Sequence, residues 1–292
     1  MLGIIGTVPD PDLPLLHGPV RLEGDRICIE DHLLPVHRCT PALLAAALKA
    51  AEFFNGPEVY AFLIGDTGRG EGSRLLYRYL SDYLAEYAFE GLTFHYLQPD
   101  VDWHNKVLFA VEAMSRRPLL IADAGFMYAA KMSGQAESYD FFTPDAGELA
   151  FLADEHAPHP FYTRGFILHE NNQVQDLIHQ AYAHHNAASY LLVKGAADVV
   201  ADAQGIISRV DQPSHPALEA IGGTGDTLTG LLSVLCAFGY EPARAAELAA
   251  RVNRWTGALA NPTPATQVSE LIDAIPRALA SVFSFAAGRA GI

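Results

Sequence analysis

The clearest chemical pattern in this chain is a run of three glycines, a threonine and an aspartate at residues 222–226, which leads directly into an apolar stretch. Gly222, Gly223 and Gly225 can adopt positive φ and leave no Cβ between the backbone and a ligand. A buried helix that begins here directs unpaired N–H groups and the positive end of its dipole at one point, which suits phosphate. Asp226 then lies in the first helical turn, where a carboxylate beside phosphate predicts a general base. The structural alternative is an aspartate that complements the dipole after a plain turn.

The elements that position these residues alternate between short apolar strands and helices. We predict strands at residues 59–64, 92–97, 118–122, 139–142 and 190–193, a hairpin over 199–210, and helices at 40–54, 73–89, 103–116, 126–132, 174–185, 242–260 and 268–285. Thr40 and Ser73 are the predicted N-caps of the first two helices. This order predicts an α/β fold of three layers, in which helices cover both faces of a mostly parallel sheet.

We interpret residues 1–292 as one domain, because no linker or internal repeat interrupts this alternation. Residues 1–50 are an additional N-terminal segment with short β-like pieces at 20–22 and 26–29. An edge hairpin, a lid and an interface element are all compatible with this segment.

Ligands of such folds bind beyond the carboxyl ends of the strands, and polar residues of this chain gather there. Asp123, Thr143 and Asp145 follow predicted strands and are predicted substrate contacts. Lys194 and Gly195 end another apolar strand, where a charge requires a partner, and a phosphate is a suitable one. The alternative is a lysine that reaches solvent at the edge of the sheet.

A second glycine-rich loop covers residues 65–73. It lacks the Gly-Lys-Ser/Thr of a P-loop and the spacing of the dinucleotide fingerprint. Four glycines after a strand favour a close approach of backbone to ligand, so Gly65, Asp66 and Gly68 are predicted substrate contacts. A flexible turn capped by Ser73 is the alternative.

Glu148 lies in the first turn of a predicted helix, three residues after Asp145. Phosphoryl transfer needs divalent charge neutralisation, so Glu148 is a predicted water-mediated ligand of Mg²⁺. A carboxylate that merely stabilises a helix start is the alternative.

The composition limits the classes of partner that the protein can bind. Nineteen Lys and Arg residues against 34 Asp and Glu residues give a formal charge of -15, which argues against nucleic acid or an anionic membrane as the main partner. Three widely spaced cysteines form no disulfide framework or zinc pattern. No basic leader opens the sequence, and no apolar run is long enough to span a membrane. We expect a cytoplasmic protein.

Three stretches together resemble the ribokinase-like superfamily, and within it the ADP- or ATP-dependent NAD(P)H-hydrate dehydratases. They are residues 222–230 (GGTGDTLTG), 143–149 (TPDAGEL) and 192–202 (LVKGAADVVAD). The resemblance covers roughly residues 55–285. It implies Asp226 as the base for a substrate hydroxyl, Gly223, Thr224 and Gly225 as the anion hole, and Lys194 as a nucleotide-phosphate contact. Glu148 is implied as the Mg²⁺-linked carboxylate.

Two departures from the family pattern lie near the expected substrate pocket. The family turn Thr-Pro-His-Pro-Gly-Glu carries Asp145-Ala146 in place of His-Pro, and a family strand end rich in Asp and Asn is reduced to Asp123. The phosphate site is intact. The resemblance therefore implies ADP- or ATP-dependent dehydration of NAD(P)H hydrate, a form of metabolite repair.

Two other functions remain compatible with these residues. The first is a small-molecule kinase of the same superfamily, and the second is a non-catalytic nucleotide-binding protein. The superfamily often assembles through sheet edges or helices, so a homo-oligomer is expected.

Overall fold

The computed structural model of the protein describes residues 1–157 and 174–289. Eleven strands of this described part form one sheet, in the order β11-β10-β9-β8-β7-β6-β1-β5-β2-β3-β4. The strands are β1 (Leu2–Val8), β2 (Leu16–Glu23), β3 (Arg26–Ile29), β4 (His32–Pro35), β5 (Val59–Gly65), β6 (Gly91–His95), β7 (Leu119–Ala122), β8 (Phe141–Phe142), β9 (Tyr190–Val193), β10 (Asp198–Asp202) and β11 (Gly205–Val210).

Ten α-helices lie between and after the strands in the described residues. They are α1 (Thr40–Phe54), α2 (Glu71–Tyr83), α3 (Val101–Glu112), α4 (Ala124–Met132), α5 (Ala146–Ala153), α6 (Val174–Ala183), α7 (Thr224–Ala237), α8 (Pro242–Ala260), α9 (Val268–Ile272) and α10 (Ile275–Arg289).

The centre of the sheet is parallel. Strands β5, β1, β6, β7, β8 and β9 run in one direction, while β10 and β11 continue one edge and β2, β3 and β4 the other in antiparallel pairing. Successive side chains of a strand point to opposite faces, so neighbours such as Ile4 and Ile5 enter different cores. Helices α1, α7, α8, α9 and α10 cover one face and α2 to α6 the other, which confirms the predicted three-layer fold.

The N-terminal segment contributes the middle of the sheet as well as an edge. Strand β1 is fully buried and pairs with β5 from Leu2↔Val59 to Val8↔Gly65, a placement that the sequence pattern did not predict. Strands β2, β3 and β4 form the antiparallel edge, so the hairpin interpretation fits this part of the segment.

Several predicted helix ends differ from the structure. Gly70, with φ 78°, is the N-cap of α2, and Ser73 lies buried inside the first turn. Cys39 precedes α1, and the Thr40 hydroxyl instead donates to the Thr7 carbonyl at 2.8 Å. The helix predicted over 268–285 is two helices, α9 and α10.

Candidate active site

Four neighbouring parallel strands deliver polar side chains to the same edge of the sheet. His95 ends β6, Asp123 follows β7, Thr143 follows β8 and Lys194 follows β9. The N-terminus of α7 faces this edge and brings Asp226 to the side chains of the strand ends. The carboxyl ends of parallel strands are where ligands of α/β folds bind.

Asp226 is the third residue of α7 and is only 8% exposed. Its Oδ2 accepts the backbone N–H of Cys39 at 2.6 Å, and its Oδ1 lies 3.2 Å from Nε2 of His95. A carboxylate held at both oxygens by groups of other elements is fixed in orientation. This is a requirement for a base that must meet one proton of a bound substrate.

The backbone conformation of the turn before α7 requires a glycine. Gly223 is the N-cap with φ 103°, a left-handed conformation that favours glycine. The first helical hydrogen bond runs from Thr227 N–H to the Gly223 carbonyl at 3.0 Å, so the N–H groups of Thr224 and Gly225 precede the helical ladder. The start of α7 is therefore suited to bind an anion.

Lys194 has a protein partner rather than free access to solvent. Its Nζ lies 2.9 Å from both oxygens of Asp123, which is 1% exposed. Its aliphatic stem crosses Gly225, where an added Cβ would lie 3.3 Å from Lys194 Cδ. Burial by itself would lower the pKa of Lys194, but Asp123 and then Glu148 raise it above its ordinary value. The ammonium therefore stays charged beside the start of α7.

Two adjoining pockets meet at Lys194 and Gly225. The first has a volume of about 480 Å³ and is lined by Asp226, Asp123, Asp145, Glu148, Gly222 and Gly223, among others. The second, of about 410 Å³, is lined by Gly195, Thr224, Ser214, His215, Asn253 and Arg254, among others. The structure thus brings most of the predicted site residues together around the N-terminus of α7.

Thr143 is brought to the cluster but not to the pocket surface. It is fully buried, and its Oγ1 lies 3.2 Å from the Thr229 hydroxyl, which donates to Asp123 at 2.7 Å. Thr143 therefore contacts Thr229, the residue that donates to the Asp123 carboxylate.

Glu148 and Asp145 form a capping box at the start of α5. Asp145 Oδ1 accepts from the Glu148 N–H, and Glu148 Oε2 accepts from the Asp145 N–H, each at 2.8 Å. The Tyr128 hydroxyl donates to Glu148 Oε1 at 2.9 Å. Burial, with Asp123 and Asp145 nearby and Lys194 opposing, raises the pKa of Glu148 to about 7. A nearby cation would therefore stabilise the ionised form of this carboxyl group.

In the described residues, no group of three or more His, Cys, Asp and Glu side chains is arranged to hold a metal ion. Magnesium does not need such a cage, because it keeps several waters and is bound through substrate phosphates and one or two carboxylates. Glu148 and Asp145 line the pocket beside the anion-binding turn and supply such oxygens. The residues therefore fit Mg²⁺ that is held mainly by phosphate and water.

The glycine loop at residues 65–73 lies apart from this pocket. Gly65 and Asp66 line a separate groove of about 720 Å³ against residues 11–15 and α2. The Asp66 carboxylate accepts the N–H groups of Gly68 and Gly70 and both the N–H and hydroxyl of Ser73. A Cβ on Gly65 would lie 1.8 Å from the Asp10 carbonyl. The structure gives these residues a role in loop packing, and substrate contact by Gly65, Asp66 and Gly68 stays a prediction.

The family model of the NAD(P)H-hydrate dehydratases matches residues 98–277, more than half of the chain. The chain belongs to this family. An uncharacterized protein of Methanocaldococcus jannaschii is 40% identical over 238 residues, which cover 81% of this chain and 98% of that protein. The bifunctional NAD(P)H-hydrate repair enzyme Nnr of Hyperthermus butylicus is 42% identical over 91 residues, which cover 30% of this chain and 16% of the enzyme.

Solved structures share the ribokinase-like fold. The ADP/ATP-dependent NAD(P)H-hydrate dehydratase from Bacillus subtilis, co-crystallized with ATP/Mg²⁺, has a TM-score of 0.58 at 15% identity and covers 96% of this chain and 89% of its own. The pyridoxal kinase from Staphylococcus aureus in complex with pyridoxal has a TM-score of 0.53 at 12% identity, with 87% of each chain covered. At these identities the likeness concerns the fold alone. No helix in the described ranges is long and apolar enough to cross a membrane.

The sequence did not indicate several residues of this candidate site. His95 and Thr229 are buried and contact the carboxylates. Tyr96 lines the first pocket, is 43% exposed and has φ 56°, which is unusual for an aromatic residue. Arg254 pairs with Asp198 at 2.8 Å and donates to carbonyls of the loop after β9. The predicted strand over 92–97 runs past His95, so no strand-end signal marked it, and none marked Arg254.

Proposed function

We propose that the chain dehydrates the hydrate of NADH or NADPH, with ADP or ATP as the phosphoryl donor, and so repairs this cofactor. The observation that carries the proposal is the position of Asp226. It lies in the first turn of α7, beside the anion-binding turn, and lines the first pocket, which adjoins the second. A hydroxyl-bearing substrate in the first pocket and a nucleotide in the second would meet at Gly225 and Lys194. Membership of the NAD(P)H-hydrate dehydratase family supports this substrate class.

The proposed reaction begins at the hydroxyl group of the hydrate. Asp226 accepts the hydroxyl proton while the oxygen attacks the terminal phosphorus of the nucleotide, and the bond to the leaving nucleotide breaks. Phosphate is a better leaving group than hydroxide. Breakage of the carbon–oxygen bond then releases phosphate, and loss of one ring proton restores the double bond of the nicotinamide. The balance is hydrate plus ATP to NAD(P)H, ADP and phosphate, or AMP in place of ADP when ADP is the donor.

Charge on the transferred group is the main electrostatic demand of this reaction. The backbone N–H groups of Thr224 and Gly225 and the ammonium of Lys194 are the residues assigned to it. Mg²⁺, when bound near Glu148, would neutralise charge on the nucleotide phosphates. A nucleotide bound over Lys194 and Gly225 would exclude water from this part of the pocket. Exclusion of water strengthens these electrostatic interactions.

The test is an assay of hydrated NADH with Mg²⁺ and either ADP or ATP, followed by the return of NADH absorbance. Asp226→Asn removes the base but keeps the shape of the side chain, so turnover is expected to fall by at least about 10²-fold while nucleotide binding persists. Asp102→Asn is the matched control, because Asp102 also lies in the first turn of a helix but is exposed.

The outcomes separate the candidate functions. Recovery of NADH with one nucleotide identifies the donor. Unchanged turnover in Asp226→Asn would remove the assigned base. A stable phosphorylated product without NADH would instead identify a small-molecule kinase, and nucleotide binding with no turnover of any substrate would favour a binding protein.

A further inference from the structure

His95 is the last residue of β6 and lies fully buried directly behind the proposed base. Its Nε2 is 3.2 Å from Asp226 Oδ1 and 3.8 Å from Asp123 Oδ2. The remaining oxygen of Asp226 accepts the Cys39 N–H. One imidazole and one backbone group therefore hold the carboxylate of Asp226.

The second ring nitrogen shows where one proton of His95 must lie. Nδ1 is 3.0 Å from the Thr40 hydroxyl, and this hydroxyl donates to the Thr7 carbonyl at 2.8 Å. A carbonyl can only accept, and threonine has a single hydroxyl proton. The Thr40 oxygen therefore acts as the acceptor toward His95, and Nδ1 carries a proton.

The neutral ring with its only proton on Nδ1 would present a lone pair at Nε2. That lone pair would face the oxygens of Asp226 and Asp123, which are acceptors when ionised. A proton on Nε2 replaces this repulsion with a charge-assisted hydrogen bond.

The charges around the ring balance in this state. Asp226 and Asp123 face Nε2, Lys194 pairs with Asp123 from the far side, and the Tyr96 ring lies edge-on with its centroid 4.4 Å from that of the imidazole. Glu148 lies beyond Lys194, and burial raises the pKa of the Cys39 thiol to about 11, so the thiol is neutral near pH 7. Lys194 and a doubly protonated His95 thus offset the charges of Asp123 and Asp226.

We infer that His95 is a positioning residue for the base, an imidazolium that donates from Nε2 to Asp226 and holds this carboxylate oriented toward the first pocket. The inference rests on the proposed function, in which Asp226 accepts the hydroxyl proton of the substrate. His95 touches no substrate and transfers no proton. Its contribution is the orientation of the Asp226 carboxylate.

Nitrogen NMR of the full-length protein, labelled at histidine, tests the charge state without any substrate. His95→Gln identifies the signals, which are expected to show both ring nitrogens protonated at about pH 7.5, well above the range in which a free imidazole carries two protons. In Asp226→Asn the doubly protonated fraction is expected to fall, because one negative partner is gone. A bare ring nitrogen in the wild-type protein, or no change in Asp226→Asn, would overturn the inference.

Kinetics test the positioning role through two substitutions. His95→Gln keeps an N–H donor without charge, and His95→Leu has neither. We expect kcat to fall about 10- to 100-fold in His95→Leu and less in His95→Gln, with nucleotide KM little changed. Equal losses of kcat in the two variants would reduce His95 to a packing residue. A wild-type protein without dehydratase activity would overturn the proposed function, whereas the nitrogen signals decide on the His95–Asp226 pair by themselves.

Discussion

The ammonium of Lys194 lies 2.9 Å from each carboxylate oxygen of Asp123, although β8 separates the two strands that these residues follow. Burial by itself would raise the pKa of the Asp123 carboxyl, but Lys194 and then His95 hold it below its ordinary value. Asp123 therefore remains ionised in the interior and depends on these cations. The two residues therefore contribute to the stability of the fold and also line the first pocket.

Lys194→Met is expected to destabilise the protein by about 3–5 kcal/mol, because it leaves the carboxylate of Asp123 buried without its main partner. Addition of Asp123→Asn should recover much of this loss, since the second change removes the unpaired charge. Denaturant unfolding of the wild type and the three variants measures the coupling between the two positions.

Arg244→Met provides the matched control for this cycle. This change also removes a cation from a carboxylate, that of Glu247 at 2.7 Å, but the side chain of Arg244 is 45% exposed. Exposed pairs contribute at most about 1 kcal/mol, so this variant should remain near the wild type. Equal losses in Lys194→Met and Arg244→Met would contradict the role assigned to the buried pair.

The sequence indicated residues of the candidate site where a single stretch carried the signal. Asp226 follows a glycine turn and precedes an apolar helix, and Lys194 follows an apolar strand, so both were identifiable without tertiary information. Their partners were not. Lys194 meets Asp123 only because β7, β8 and β9 pair in parallel, and local pattern does not specify which strand ends become neighbours.

Other features depend on contacts between distant segments. The strand predicted over residues 92–97 runs through His95, so its imidazole gave no sign that it would face Asp226, 131 residues away. Gly65 is a predicted ligand contact, and its lack of a Cβ also accommodates the Asp10 carbonyl, a packing role that the sequence did not indicate. Strand β1 was missed because its seven buried residues show no alternation of polar and apolar side chains.

His104 predicts a loss of stability in acid. Its Nε2 lies 2.8 Å from the Tyr139 hydroxyl, and burial lowers the pKa of its imidazole to about 4, although Asn105 opposes the shift. Between the ordinary pKa and this value the unfolded chain binds a proton that the folded chain does not. Stability therefore falls as pH decreases from about 6.5 to 4, by roughly 3 kcal/mol from this residue.

His104→Gln removes the titrating group and keeps a hydrogen-bonding side chain. The difference in unfolding free energy between the wild type and His104→Gln should thus favour the wild type more strongly at pH 6.5 than at pH 4. His37→Gln is the control for the replacement of a histidine by glutamine, since His37 is exposed. A constant difference for His104→Gln would show that this imidazole binds its proton as readily in the folded protein as in the unfolded chain.

Gly230 sets the distance between the two helices behind the site. A Cβ on this residue of α7 would lie 2.3 Å from the Leu43 carbonyl of α1. Helix propensity favours alanine over glycine by about 0.5–1 kcal/mol, whereas overpacking of a tight contact typically costs about 1–3 kcal/mol. A backbone carbonyl inside a helix cannot move alone, so the packing term should win. We expect Gly230→Ala to lower the free energy of unfolding by about 1–2 kcal/mol, as measured in denaturant.

Gly257→Ala in α8 distinguishes this steric effect from a general effect of alanine. Its Cβ would meet Leu218 Cδ1 at 2.5 Å, but this is the end of a flexible side chain that can rotate away. The control should therefore lose less stability than Gly230→Ala, or gain some. Gly230 lies one helical turn after Asp226, so displacement of α7 from α1 would also move the base relative to Cys39 and His95. Reduced turnover in Gly230→Ala, with turnover retained in Gly257→Ala, would show that the contact between α1 and α7 holds the base in place, and a Gly230→Ala protein as stable and active as the wild type would contradict it.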